Sequence, residues 1–277
     1  MGLRAVAKLV VFSILTFIFG DREGFVQLST VAGPARGLRF RLDLLNRGES
    51  SYFFGTYERP AIEQILRVCQ LGWTVWDCGT YLGFYTNIFA RAVGPQGHVV
   101  AIEPDPNNLR RTKEHVQMNK FSNVEFMEAA IGGSTGEVEF AFCNNTNSHL
   151  PGTYVGASNS AYVSELVGDS QRDAQIGKIH STTMDDLYIS GKVPVPSLIK
   201  LDIEGAELHA LKVCHRLVAD HKPIIVLELH NPECDAAAWQ FACDVGYRLT
   251  RIPTMEPIEN ASDVYGTILC TPRHPRS

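Results

Sequence analysis

VWDCGTYLGFYT, residues 75–86, decides how the chain is read. An apolar run from Trp73 to Cys78 carries Asp77 near its end. Gly79 and Gly83 then bracket a turn, and Phe84, Tyr85, Ile88 and Phe89 follow at helical spacing. Strand, glycine turn and helix make the opening of a parallel α/β unit, and glycine in such a turn lets the backbone approach a ligand closely. In a doubly wound sheet this turn lies beyond the carboxyl ends of the strands, where ligands bind.

The flanking sequence repeats the alternation. VVAIEP (99–104) predicts a second strand, NNLRRTKEHVQMNK (107–120) a helix, NVEFMEAAIG (123–132) a third strand and PSLIKLDI (196–203) a fourth. GAELHALKVCHRLV (205–218) predicts one helix and KPIIVLELH (222–230) a fifth strand. The near-continuous apolar run Ile224 to Leu227 is what a sheet covered on both faces requires. The expected architecture is α/β: a Rossmann-like, doubly wound, mostly parallel sheet with an N-terminal helix and strand extension. Residues 134–182, rich in Asn, Ser and Gly, read as a hairpin and loops, and the segment after Pro253 reads as irregular.

Upstream, LRFRLDL (38–44) alternates strictly and predicts a half-buried strand, NRG a turn, and IEQILRVC (62–69) a helix. Leu9 to Phe19 is apolar apart from Ser13 and Thr16, with Arg4 and Lys8 ahead of it. This run is shorter than the roughly 20 residues of a spanning helix. It reads as a docked or membrane-surface helix, with a signal or anchor as the alternative. The chain thus divides into an apolar helix over 1–20, a strand extension over 21–60 and a main domain over 61–277.

Composition narrows the partners. With 25 Lys and Arg against 30 Asp and Glu, the net charge is -5, and no basic run interleaved with aromatics suggests nucleic acid. A small or neutral substrate fits better. Seven cysteines without a C-x-x-C pair read as reduced thiols, which points to a cytoplasmic chain, membrane-associated if residues 1–20 make a surface helix.

The glycine turn discriminates between cofactors. A dinucleotide site wants G-x-G-x-x-G, whereas here the spacing is G-x-x-x-G and Asp77 stands two residues before Gly79. A carboxylate there repels phosphate and suits the sulfonium and amino group of S-adenosylmethionine. Glu103, ending the second strand 20 residues after Gly83, is placed to accept ribose hydroxyls.

The chain resembles the FkbM family of S-adenosylmethionine-dependent methyltransferases over about residues 38–269. The resemblance runs through LDLLNRGES, FGTYE, DCGTYLGFYT, AIEPDP, EAAIG, TTMDDL, LIKLDIEGAE, LELHNPE and GYRLTRI in that order. It implies a bound methyl donor and O-methylation of a hydroxyl on a sugar, polyketide or related small molecule. It makes Asp77, Gly79 and Gly83 the donor loop and Glu103 the ribose acceptor, with Glu128 to Ala130 bordering the adenine. One departure stands out: where the family commonly reads Asp-x-Gly-Ala-Asn, this chain has Thr80 and Tyr81.

On the acceptor side, strand alternation puts Lys200, Asp202 and Glu204 on one side of their strand, and Glu228 and His230 together at the end of the next. Methyl transfer to an alcohol is a displacement at carbon in which the oxygen loses its proton, so positioning and a nearby base both matter. Asp202 and His230 are the candidates, with Glu204 serving either catalysis or the dipole of the helix that follows. Glu207 reads as a first-turn helix acid. Asp202, Glu204 and His230 are also ligands that Mg or Mn accepts, but two acids and one histidine are not diagnostic, and no metal is expected. A nicotinamide oxidoreductase is disfavoured by the glycine spacing and Asp77. The other alternative is a weak or inactive methyltransferase-fold binding protein, which Thr80, Tyr81 and the apolar N-terminus favour.

Overall fold

The computed structural model describes residues 12–14, 16–142 and 175–273. Residues 12–14 and 16–19 are helical and form the N-terminal helix; β1 (Val26–Ser29) and β2 (Arg39–Leu42), an antiparallel pair, come next, followed by α1 (Arg47–Phe54) and α2 (Arg59–Val68). The stretch read as an NRG turn is in fact the start of α1. Asn46 caps it by accepting from the N–H groups of Gly48 and Glu49, which converts a turn signal into a helix start.

The main domain opens with β3 (Thr74–Cys78), α3 (Phe84–Val93), β4 (His98–Ile102), α4 (Pro106–Met118) and β5 (Val124–Met127). The chain then leaves the main sheet for β6 (Ala130–Ile131), β7 (Gly136–Phe142) and β8 (Gln175–Thr182). These three form a separate small sheet, in which β7 and β8 pair antiparallel and β6 pairs parallel with β8. The single third strand expected over 123–132 is therefore two strands in two sheets.

After α5 (Met184–Ser190) come β9 (Leu198–Leu201), α6 (Glu207–Leu211), α7 (His215–His221), β10 (Ile224–Glu228) and α8 (Pro232–Val245). Residues 205–218, expected as one helix, are broken between α6 and α7. The carboxylate of Asp185 accepts from the N–H groups of Arg216 and Leu217 at 2.9 and 2.8 Å, so a side chain from α5 caps a new helix there. The chain closes with β11 (Tyr247–Arg251), β12 (Pro257–Ile258) and β13 (Thr267–Pro272). The segment after Pro253 is thus not irregular throughout, because β13 inserts antiparallel between β10 and β11.

The main sheet has eight strands in the order β12-β11-β13-β10-β9-β3-β4-β5, parallel from β10 to β5. It is the α/β Rossmann-like architecture expected. From β3 the chain builds outward through β4 and β5, then returns to the other side of β3 with β9 and β10. The switch point is therefore between β3 and β9. One apolar cluster joins Trp76, Ile102, Leu201 and Leu227 to Phe241 and Tyr247. The other joins Phe84, Ile88 and Phe89 of α3 to Phe12, Val26, Phe40, Leu42 and Tyr52. The N-terminal extension is thereby packed into the same core as the sheet.

Candidate functional site

At the switch point the ends of β3 and β9 touch. The Asp202 N–H donates to the Cys78 carbonyl at 3.1 Å, and the loop after Cys78 bends at Gly79, with φ +81°. A Cβ at Gly79 would lie 1.8 Å from the Asp202 carbonyl oxygen, so only glycine fits. Gly83, with φ +74°, begins α3, and there a Cβ would press on Thr112 of α4 at 2.6 Å. Its bareness serves the packing of two helices. The loop between is held by the Thr112 hydroxyl, which donates to the Tyr81 carbonyl at 2.9 Å.

Glu103 lies just beyond β4 and faces this loop. Its two oxygens accept one N–H each, from Tyr81 at 2.8 Å and Asp105 at 3.1 Å. The Asn108 side chain bonds the carboxylate as well, which leaves a lone pair for a ligand hydroxyl. Burial, only partly offset by these bonds, raises its pKa to about 8. Tyr81 takes a left-handed φ of 50°, a conformation that asparagine tolerates better than tyrosine, while its N–H donates to Glu103.

Asp77 differs from the open carboxylate expected from its place in the motif. It is sealed beneath the loop, where Oδ2 accepts from the Thr86 hydroxyl and Oδ1 is buried without a hydrogen-bond partner. Burial, opposed by Lys200 and Thr86, raises it to about 6. Glu128 is exposed between β5 and β6, while the Glu103 N–H donates to the neighbouring Met127 carbonyl. Ala130 packs with Phe140 and Ala206 in a small apolar cluster. A loop that only glycine can build and an acid with a spare lone pair fit a hydroxyl-bearing donor. Glu103 would hold its ribose and the Gly79 backbone would lie beside it.

The acceptor candidates converge across β9 and β10. His230 Nε2 lies 3.6 Å from both Asp202 Oδ1 and Glu204 Oε2. Glu204 follows β9 with φ 54°, and Gly205 turns the chain into α6. His230 sits between the end of β10 and Asn231, which caps α8 by accepting from the Cys234 N–H at 2.8 Å. Burial would lower the His230 pKa, but its bond to Glu207 and the charges of Glu207, Glu204 and Asp202 raise it to about 9. Burial and then Asp202 raise Glu204 to about 7. Burial, Asp202 and Glu58 raise Glu228 to about 8.

Three residues that the sequence did not assign to the site help build it. Lys200 is buried and donates to Asp202 Oδ2 at 2.7 Å, with its ammonium 4.6 Å from the Tyr85 ring centroid. Burial alone would discharge it, but Asp202, Asp77 and Glu228 hold its pKa above the ordinary lysine range. Glu58, from the N-terminal extension, accepts from the Tyr85 hydroxyl at 2.7 Å. Glu207 is fully buried against His230. The K-x-D alternation hinted at Lys200, but nothing local in the sequence signals Glu58. Ligand atoms of Asp202, Glu228 and His230 lie within 4.8 Å of one another, a spacing a cation can bridge. The Lys200 ammonium already neutralises Asp202 there, which weakens the case for a metal.

The family model described as "Methyltransferase FkbM domain" matches residues 77–249, more than half of the chain and the span that carries the loop, Glu103 and the β9–β10 cluster. Hexuronic acid methyltransferase AglP of Haloferax volcanii is 24% identical over 155 residues, covering 56% of this chain and 55% of that protein. An arsenite methyltransferase of Halobacterium salinarum is 39% identical over 61 residues, 22% of this chain and 16% of that protein. The chain therefore spans little more than half of one relative's length and a small part of the other's. Among solved structures, the FkbM methyltransferase of Methylobacillus flagellatus aligns with a TM-score of 0.45 at 17% identity, covering 98% of this chain and 60% of that one. On the match over residues 77–249, the chain belongs to the FkbM family of methyltransferases, whose methyl donor is S-adenosylmethionine.

Proposed function

We propose that this protein transfers the methyl group of S-adenosylmethionine to a hydroxyl of a neutral, sugar-like small molecule, with His230 as the proton acceptor. The observation that carries this reading is the convergence of His230, Asp202 and Glu204 at the switch point, next to the Gly79 turn. The donor supplies an electrophilic methyl carbon on a sulfonium. Glu103 and the loop orient it, His230 takes the hydroxyl proton at Nε2, and Asp202 stabilises the resulting imidazolium. Lys200 donates to Asp202 and holds it in place. AglP suggests a sugar acceptor, and the chain's net charge of -5 favours a neutral one over a uronic acid.

The sign of the pH dependence follows from the raised His230 pKa. Below about 9 the free imidazole is protonated and cannot accept, so transfer should accelerate as pH rises toward that value. The test uses methyl-labelled donor with a panel of neutral glycosides and their uronic acid counterparts. Neutral acceptors should be labelled, and His230→Ala should slow single-turnover transfer by about 10²- to 10⁴-fold while leaving S-adenosylhomocysteine affinity nearly unchanged. Wild-type rates in His230→Ala would strip His230 of its role, and preference for uronic acids would overturn the neutral acceptor.

A donor-binding protein without turnover is the second reading, favoured by Tyr81 in a left-handed conformation where the family commonly has asparagine. Donor binding with no labelled product from any acceptor would support it. The exposed apolar residues of the N-terminal helix, Phe17, Ile18 and Phe19, support contact with a membrane surface. No helix among the described residues is long and apolar enough to cross a membrane.

A further inference from the structure

Glu207 stands at the first position of α6, where an acid ordinarily serves the helix dipole. A helix of five residues has little dipole to serve, and this side chain is turned inward, with none of its surface exposed. Both of its oxygens are engaged. Oε1 accepts the Ile203 N–H at 2.9 Å and faces His230 Nδ1 at 3.1 Å, while Oε2 accepts the Cys234 thiol at 3.3 Å. Its partners come from the loop after β9, the end of β10 and α8, so one carboxylate ties together the segments that carry Asp202 and His230.

With Oε1 accepting the Ile203 N–H and Oε2 the Cys234 thiol, Glu207 acts as an acceptor through both oxygens, and its bond to His230 places the hydrogen on Nδ1. In the neutral ring the lone pair then sits on Nε2. That is the nitrogen 3.6 Å from Asp202 and Glu204, on the open side of the cluster. We propose that Glu207 is a positioning residue for His230, holding the imidazole in the Nδ1–H tautomer with Nε2 toward the acceptor and stabilising the imidazolium formed during transfer. This rests on the reading of His230 as the proton acceptor. In the step it supports, the acceptor O–H bond breaks and its proton goes to Nε2. The oxygen's electron pair forms the new C–O bond as the methyl carbon's bond to sulfur breaks, that pair remaining on sulfur. Glu207 neither gains nor loses a proton.

Other charges act on the same ring: Asp202 and Glu204 from the loop after β9, Glu228 from β10, and Lys200 through Asp202. Of these, Glu207 is the one bonded to Nδ1. Nitrogen-15 NMR of the histidine side chains in the full chain tests the proposal without any acceptor. In the wild type, the neutral form of His230 should carry its hydrogen on Nδ1; the Nε2–H tautomer there would overturn the proposal outright. Glu207→Gln keeps the size of the side chain and removes its charge. It should lower the His230 titration midpoint by about one pH unit or more and mix the two tautomers, as expected from losing an adjacent opposite charge. An unchanged midpoint and tautomer in a variant that still binds S-adenosylhomocysteine would also overturn it. Single-turnover transfer separates this inference from its premise: wild-type rates in His230→Ala would end the base reading whatever the NMR shows. If His230→Ala is slow, Glu207→Gln should lower kcat about tenfold or more with little change in KM, and Glu207→Asp should restore part of the rate.

Discussion

Glu103, which we propose holds the donor, carries a cost in stability. Above the ordinary glutamate pKa of 4.5 the unfolded chain releases this proton, while the folded chain holds it until about 8. Stability therefore falls across that window by about 1.4 kcal/mol per pH unit and levels off above it, a total on the order of a few kcal/mol. Glu103→Gln removes this cost. Its ligand-free melting temperature should gain on the wild type as pH is raised from about 5 to about 9. Above about pH 8, where the carboxylate is ionised, the same variant should bind S-adenosylhomocysteine more weakly by about 2–4 kcal/mol, through the loss of charge-assisted bonds. Thermal unfolding over pH, with and without ligand, reads both effects, and a variant that gains no stability would mean that the Glu103 carboxylate is better solvated than its burial indicates.

The N-terminal helix is divided between two environments. Phe12 is buried, with its ring 5.9 Å from that of Phe54, whereas Phe17 is 91% exposed and Ile18 and Phe19 are each more than half exposed. One part is thus anchored to the core and the other carries exposed apolar surface. Replacing Phe17 and Phe19 with Asp should leave the melting temperature nearly unchanged and reduce sedimentation with liposomes, because only the exposed side chains would contact lipid. Equal partitioning of variant and wild type would remove the membrane reading. The broken α6–α7 pair shows the same dependence on neighbours, since Asp185 of α5 supplies the cap that starts α7.

Across the fold as a whole, the extension and the sheet are joined by a buried ion pair. Arg111 of α4 donates to both Glu49 oxygens, at 2.9 and 2.7 Å, and to the Arg41 carbonyl at 2.7 Å, with the two charged side chains 6% and 1% exposed. Glu49→Ala leaves the guanidinium buried without its counter-charge and should cost about 3–5 kcal/mol. Because Phe40, Leu42 and Tyr52 pack in the same cluster as Phe84 and Phe89, this loss should lower one cooperative urea transition for the whole chain. A separate early transition, with the sheet unaffected, would show instead that the extension folds as its own unit. Glu58 gives this coupling a consequence for the site, since the extension also delivers the carboxylate that meets Tyr85.

The architecture was legible in the chain because its determinants are local. Alternation around Asp77, Gly79 and Gly83, the strand ending in Glu103 and the polar positions after Leu201 each lie within a few residues, so strand and helix periods expose them. That locality also put Asp202, Glu204 and His230 at the ends of neighbouring strands. The β13 insertion, the α6–α7 break, the sealing of Asp77 and the parts taken by Glu58 and Glu207 left no such trace. Each depends on a partner that folding alone brings near: Cys270 beside Ile225, Asp185 on Leu217, Lys200 beside Asp77, Glu58 on Tyr85 and His230 on Glu207. Periodicity records which face of an element is apolar. Which acid is buried against which base is set by the packing of one element on another, and no short stretch of sequence carries that information.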